Sequence, residues 1–315
     1  DEVALFEVLP GVGKSRSITK AASSLNVPVT VLTNLADNYV QYEDWGDEDD
    51  VTVHSLPVST DDCPTIRGEY SGDATAQKAQ EAYNEGWPAS TIHREFDVPC
   101  ERNKNTCPYR AKIDEIDPDG LNPLVGNYTQ GYNAPYVNNR VVVIDEDAFD
   151  HYVTEIKNPV EKANKYLETL DEFPFESARR PESGEEKKRQ VALENLEDEG
   201  LDSNNHQNSV GEFHAKAPLI AYSIFAAERM ENNWVVADLP GNRTAAFYES
   251  PAEGSLQLFE PPDLAGAVAV VGLDATPCLS KWEAIIGSEF DHYRLFNNDQ
   301  RNQYLREQGY EFIQL

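Results

Sequence analysis

Apolar residues fall along this chain in short blocks separated by glycine turns and polar loops. Residues 3–9, Val-Ala-Leu-Phe-Glu-Val-Leu, are apolar except for Glu7 and predict a short strand. After the turn at 10–15, Ile18, Ala21, Ala22 and Leu25 recur at helical spacing and predict a helix over Ser17–Leu25. Val27–Asn34 is rich in β-branched residues and reads as a second strand, which completes a βαβ unit. Val141–Ile144 are four consecutive β-branched residues, the pattern of a strand covered on both faces in a parallel sheet. Ala265–Leu273 has the same character. Shorter strands are predicted at Trp234–Leu239, Thr244–Glu249 and Leu256–Phe259, around Gly-Asn and Glu-Gly turns. Helical spacing recurs near Ala74–Gly86, over Asn158–Leu170 and Glu185–Leu196, in an amphipathic stretch Lys216–Glu231, and near Lys281–Ile286. The last six residues, Tyr-Glu-Phe-Ile-Gln-Leu, read as a strand.

This alternation predicts an α/β fold with a mainly parallel central sheet. Residues 1–59, 126–150 and 216–315 would form the nucleotide-binding domain. Residues 60–125, rich in Pro and Gly, would be a cysteine-bearing insertion, and residues 151–215 an acidic helical insertion whose simplest reading is solvated structure without chemistry. No internal repeat is evident, and no run of 18 apolar residues offers a transmembrane helix. The chain opens on Asp1 directly into the first strand, which suggests a segment of a longer product or a processed end.

Three places carry candidate chemistry. Pro10, Gly11, Val12, Gly13, Lys14 and Ser15 lie between a strand and a helix, the context of a phosphate-binding loop. There Gly11 and Gly13 would let backbone N–H groups curl round phosphates, Lys14 would reach the β and γ oxygens, and Ser15 would offer a hydroxyl to Mg²⁺. Val8 stands where the fullest pattern has its first Gly, and a plain glycine turn is the competing reading. Asp145 and Glu146 end the Val141–Ile144 strand, where ligands of open α/β sheets bind. Asp145 could hold Mg²⁺ and Glu146 could orient or deprotonate a water. Thr33–Asn34 and Asp274-x-Thr276 end two other strands, and face either the same crevice or an ordinary turn. Finally, Cys63, His93, Cys100 and Cys107 cluster in one loop-rich stretch, with six residues between His93 and Cys100 and six between Cys100 and Cys107. They are either metal ligands or free thiols beside a surface His.

Charge changes the picture of partners. The 315 residues carry 56 Asp+Glu against 26 Lys+Arg, a net −30, whereas an ordinary nucleic-acid binder is basic. The acid is dispersed, densest at Glu43–Asp50, and the chain has one Met and four Cys. Such a surface suits molar salt, where the Debye length shrinks to about 3 Å. The counterion term in nucleic-acid binding is already suppressed there, so acidity does not exclude a DNA or RNA partner. Few cysteines and no secretory signal make a reducing cytoplasm the default expectation.

The motifs together resemble a known family. PGVGKS at 10–15 is similar to helicase motif I, the Walker A loop. CPYRAK at 107–112 and VGNYTQGY at 125–132 look like signatures of the XPD/DinG-like branch of superfamily 2 helicases, a DEAD/DEAH-related group. VVIDEDA at 142–148 resembles their DEAH box (Walker B), with Asp147 and Ala148 where the family usually has Ala and His. GLDATP at 272–277 looks like motif III. The resemblance implies the first RecA-like motor domain of an ATP-dependent DNA helicase, and the composition a salt-adapted, haloarchaeal-like source. It implies ATP and Mg²⁺ as cofactors, Asp145 and Glu146 as catalytic residues, and Asp274 and Thr276 as coupling residues. It also implies single-stranded DNA (or RNA) and a second RecA-like domain as partners. The family carries a four-cysteine iron–sulfur domain in the slot of residues 60–125. Only three Cys lie in that slot here, so His93 would complete either an iron–sulfur or a zinc set. The alternatives are a phosphate-loop ATPase of another class, packaging or remodelling, and a non-catalytic nucleotide- or metal-dependent interaction module.

The charge yields the first prediction. Dispersed carboxylates repel one another in dilute buffer and are screened in concentrated salt. The melting temperature should rise from low to molar KCl, and a flat or falling trend would mark an ordinary acidic protein.

Overall fold

The computed structural model describes residues 2–34, 36–104, 107–231, 233–248 and 254–309. The strand expected at the last six residues and the end of the one expected at Glu249 lie outside them. In chain order the elements begin with β1 (Glu2–Glu7), α1 (Lys14–Ser24), β2 (Val29–Leu32), α2 (Ala36–Glu48) and β3 (His54–Ser55). Helices α3 (Ser59–Asp62), α4 (Ala74–Asn84), α5 (Ala89–Glu95), α6 (Pro99–Lys104) and α7 (Pro108–Asp114) follow. Next come β4 (Leu124–Gly126), β5 (Val141–Asp145), β6 (Val153–Lys157), α8 (Pro159–Leu167), α9 (Glu186–Glu199) and α10 (Ala217–Ala226). The chain then runs through β7 (Glu228–Arg229), β8 (Trp234–Leu239), β9 (Arg243–Tyr248), β10 (Ser255–Phe259) and β11 (Ala269–Asp274). It continues with α11 (Leu279–Ile286), β12 (Asp291–Arg294) and α12 (Asn298–Glu307).

The described residues of 1–56, 116–152 and 261–315 form one compact unit. Its seven-stranded sheet has the order β12-β1-β11-β5-β2-β4-β3. Every neighbouring pair is parallel. This mixed α/β architecture is consistent with a RecA-like domain. The apolar blocks explain it: β2 is buried along its whole length and β5 from Val142 onward. Ala22 of α1 and Tyr42 of α2 cover Val29, Val31 and Val143. Helix α2 runs through the acidic stretch for which the sequence predicts no element, because Tyr39, Tyr42 and Trp45 recur at i, i+3, i+6 and supply its inner face.

A cationic side chain lies inside this unit. Arg140, fully buried just before β5, donates to Thr30 Oγ1 at 2.7 Å and to the Val29 carbonyl at 2.8 Å. It also donates to the carbonyls of Pro118 and Asn122 and so ties the 118–122 loop to the sheet. Burial pulls its guanidinium down to about 10, which leaves it cationic at neutral pH.

The described residues of 57–115 and 153–260 form a second compact unit. Its five-stranded antiparallel sheet has the order β6-β10-β9-β8-β7. The structure here differs from the pattern reading in four ways. Residues 216–260 pack in this unit, not with the parallel sheet. Residues 57–115 and 153–260 share one core, in which Trp87 donates from Nε1 to the Phe213 carbonyl at 3.0 Å. The stretch expected to be helical starts with strand β6, whose single fully buried residue, Ile156, faces Leu256 of β10. One inward residue in five is too weak a period to read. Lastly, α10 is buried on nearly all sides and is not amphipathic, and it stops at Ala226 because Glu228 and Arg229 pair with β8. No helix among the described residues is long and apolar enough to cross a membrane.

Arg140→Met should lower stability by about 2–4 kcal/mol in equilibrium urea unfolding, because buried carbonyls lose their donor. An unchanged midpoint would mean that this network contributes nothing net.

Candidate nucleotide and metal sites

Strands β1, β11 and β5 end side by side in the first unit. Glu7 is in register with Asp274, and Leu273 with Asp145. The Pro10–Ser15 loop leaves the end of β1 and enters α1. Gly11 and Gly13 have φ of +78° and +84°, a region that glycine enters without a Cβ penalty. Gly13 caps α1, so the loop delivers its backbone to a helix N-terminus, where amides and dipole favour an anion.

Side chains converge at this point. Ser15 Oγ donates to Asp145 Oδ2 at 2.9 Å. Lys14 Nζ lies 3.6 Å from Asp145 Oδ1 and is paired with Glu146. Asp145 is only 3% exposed, and its Oδ1 has no hydrogen-bond partner among the described residues. A buried carboxylate beside a serine hydroxyl is an oxygen donor set that could hold a hard divalent cation such as Mg²⁺. The Tyr42 hydroxyl donates to Asp145 Oδ2 at 3.2 Å, and the Tyr128 hydroxyl to the Asp145 carbonyl at 2.6 Å. Burial, reinforced by the Asp145 charge, raises both phenols well above their ordinary range, so they remain donors.

Glu146 is exposed and has φ of +81°, a left-handed conformation rare for a residue with a Cβ. Its N–H still reaches the Leu273 carbonyl at 2.8 Å. The chain therefore turns sharply at the strand end without losing its sheet bond, and this turn presents the carboxylate. Asp147 and Ala148 follow. Asp147 pairs with Lys281 of α11 at 3.2 Å, and Ala148 is buried.

At the end of β11, Asp274 Oδ1 accepts from the Thr276 N–H at 2.9 Å. Its Oδ2 accepts from Trp282 Nε1 at 2.9 Å. Thr276 is exposed. Thr33 is buried and its hydroxyl accepts from Asn38 Nδ2 at 2.7 Å, while Asn34 is exposed.

Residues that the sequence reading does not single out also meet here. Glu7, the polar break in the first apolar block, is buried and accepts from Arg294 Nε at 2.9 Å and Arg301 Nη1 at 2.6 Å. Tyr304 of α12 donates to the Pro10 carbonyl at 3.0 Å, so the last described helix rests against the glycine loop. Glu7 itself was the available signal. A carboxylate inside a core strand requires a cation, but nothing in the pattern says which.

The second unit holds the other candidate. Cys63 follows α3, His93 lies in α5, Cys100 in α6, and Cys107 precedes α7. All four are buried, and their ligand atoms lie within 4.8 Å of one another. Hydrogen bonds with Cys107 and Cys63 hold the Cys100 sulfur below the usual thiol range, which gives the group an anionic pole. Cys278 is exposed and belongs to the other unit. The buried group could bind a metal.

No family model matches the sequence, and no curated protein matches it. Among solved structures, a truncated XPD matches at 12% identity and a TM-score of 0.41, over 94% of this chain and 96% of that one. Xpd4 of S. tokodaii matches at 10% identity and a TM-score of 0.40, over 95% of this chain and 57% of that one. An apo XPD matches at 12% identity and a TM-score of 0.39, over 98% of this chain and 56% of that one. The chain thus spans a little over half the length of the last two.

The backbone at Glu146 yields a direct test. Glu146→Gly and Glu146→Ala both remove the carboxylate, but only Ala keeps the left-handed penalty. The Gly variant should be more stable than the Ala variant by about 1 kcal/mol in thermal or urea unfolding. Equal stability would mean that the turn carries no strain.

Proposed function

We propose that the first unit binds ATP with Mg²⁺ and hydrolyses it, as the first motor domain of a helicase acting on single-stranded DNA or RNA. The observation that carries the reading is the meeting of Lys14 and Ser15, from a glycine loop at a helix N-terminus, with Asp145 and Glu146 at a parallel strand end. Glycine loops are common. A glycine loop whose Lys and Ser both touch an Asp-Glu pair 130 residues away is not an ordinary turn.

In this reading the backbone amides of residues 11–15 surround the phosphates, and Lys14 exchanges Glu146 for their oxygens. Ser15 and Asp145 would hold Mg²⁺, which neutralises charge on the phosphates when bound. Tyr42 and Tyr128 position the Asp145 side chain and backbone. Glu146, released from Lys14 and turned outward, orients the attacking water and accepts its proton. Asp274 fixes the turn that carries Thr276, and Thr276 would pass the state of the γ-phosphate to the nucleic-acid side. A second RecA-like domain would complete the cleft and supply the cation that stabilises transition-state charge.

Lys14→Ala should weaken ATP binding by about 10–100-fold, the cost of one charge-assisted contact. Glu146→Gln should keep binding and lower hydrolysis by about 100-fold or more. ATP titration followed by calorimetry, and phosphate release with and without single-stranded DNA, measure these. Unchanged affinity in Lys14→Ala removes the nucleotide site. Turnover that ignores the polymer, measured on a chain that includes the second motor domain, favours an ATPase of another class.

A further inference from the structure

We propose that Cys63, His93, Cys100 and Cys107 hold one tetrahedral zinc ion, not the multi-iron cluster that the sequence resemblance implies. The inference does not depend on the nucleotide reading.

Distances decide between the two. Around a single zinc, with Zn–S of about 2.3 Å and Zn–N of about 2.0–2.1 Å, tetrahedral angles put sulfurs about 3.8 Å apart and sulfur about 3.5 Å from nitrogen. The Cys63 and Cys100 sulfurs are 3.9 Å apart. His93 Nε2 lies 3.5 Å from the Cys63 sulfur and 3.6 Å from the Cys100 sulfur. A four-iron cube occupies the centre of its ligand set, and each thiolate extends outward from its own iron, so sulfurs must stand about 6 Å apart. All four ligand atoms here lie within 4.8 Å of one another. The set matches one ion and is too narrow for a cube.

The surroundings agree. His93 Nδ1 is 2.7 Å from the Ala89 carbonyl, which can only accept, so Nδ1 donates there and Nε2, facing the sulfurs, is the nitrogen that would ligate the ion. The Ile66 N–H points to the Cys63 sulfur at 3.5 Å, a contact that spreads thiolate charge. Four buried protein donors leave no open position for water or substrate, which is the pattern of a structural site. Its task follows from the helices that carry it. Helices α3, α5, α6 and α7 have four to seven residues, too short to be stable alone. One ion bonded to residues in or beside all four holds them together, and zinc does so without redox chemistry.

The test is metal analysis of the full chain purified both aerobically and anaerobically. We expect one zinc per chain, no iron and no brown colour in either preparation. Cobalt(II) exchanged into the protein should show the strong visible bands of a tetrahedral thiolate site. Cys107→Ser and His93→Ala should each lower zinc retention against a chelator by at least 10-fold. His93→Cys should restore it, with cobalt bands shifted by the fourth sulfur, and Cys278→Ser should leave it unchanged. Should the weakened variants fail to fold, the metal content and cobalt spectrum of the unaltered chain still decide. Several irons per chain in the anaerobic preparation, a folded chain without metal, or zinc retained fully in both weakened variants would overturn the proposal.

Discussion

Seven strands run the same way in the first unit, and a parallel strand can be followed by another only through a crossover. Every strand therefore ends at one rim, and loops that are distant in sequence start there side by side. The registers Glu7 with Asp274 and Leu273 with Asp145 make the ends of β1, β11 and β5 neighbouring rungs, about 5 Å apart. The glycine loop, the Asp-Glu pair and the Asp-x-Thr turn meet because of this constraint. A one-residue slip of β5 would turn Asp145 from the rim to the opposite face of the sheet.

Within that frame the site concentrates unfavourable features. Glu146 sits in a left-handed conformation, Asp145 is buried with Oδ1 lacking a hydrogen bond, and two carboxylates share one ammonium. Strain that serves the site is the usual form of compromise between stability and function. The bond from the Glu146 N–H to Leu273 shows how it is confined: the side chain turns away while the backbone stays in the sheet.

The second unit solves a different problem. Its antiparallel sheet and α10 supply a large apolar core, while the cysteine-bearing helices are short and polar at their ends. They are secured through Trp87 and through the convergence of three sulfurs and one imidazole. Residues that the pattern divides among 60–125, 151–215 and 216–315 share this core, which draws on 57–115 and 153–260.

The strongest local patterns were sufficient to single out the side chains that converge. Four β-branched residues at 141–144 specify a buried strand, two glycines before Lys14 and Ser15 specify a tight turn into a helix, and three Cys with His93 mark one segment. Those are short-range properties, set by φ/ψ sterics and by side-chain burial, and they are legible without neighbours. Partnerships are not. That Glu7 meets Arg294 and Arg301, that Tyr42 supports Asp145, that Tyr304 rests on Pro10, and that residues 216–260 join the antiparallel sheet all depend on contacts across long stretches of chain. A residue's type and spacing state that it needs a partner, or which face it would bury. Which residue satisfies that need is decided only when the strands take their order and register, because that is when distant side chains first come within bonding distance.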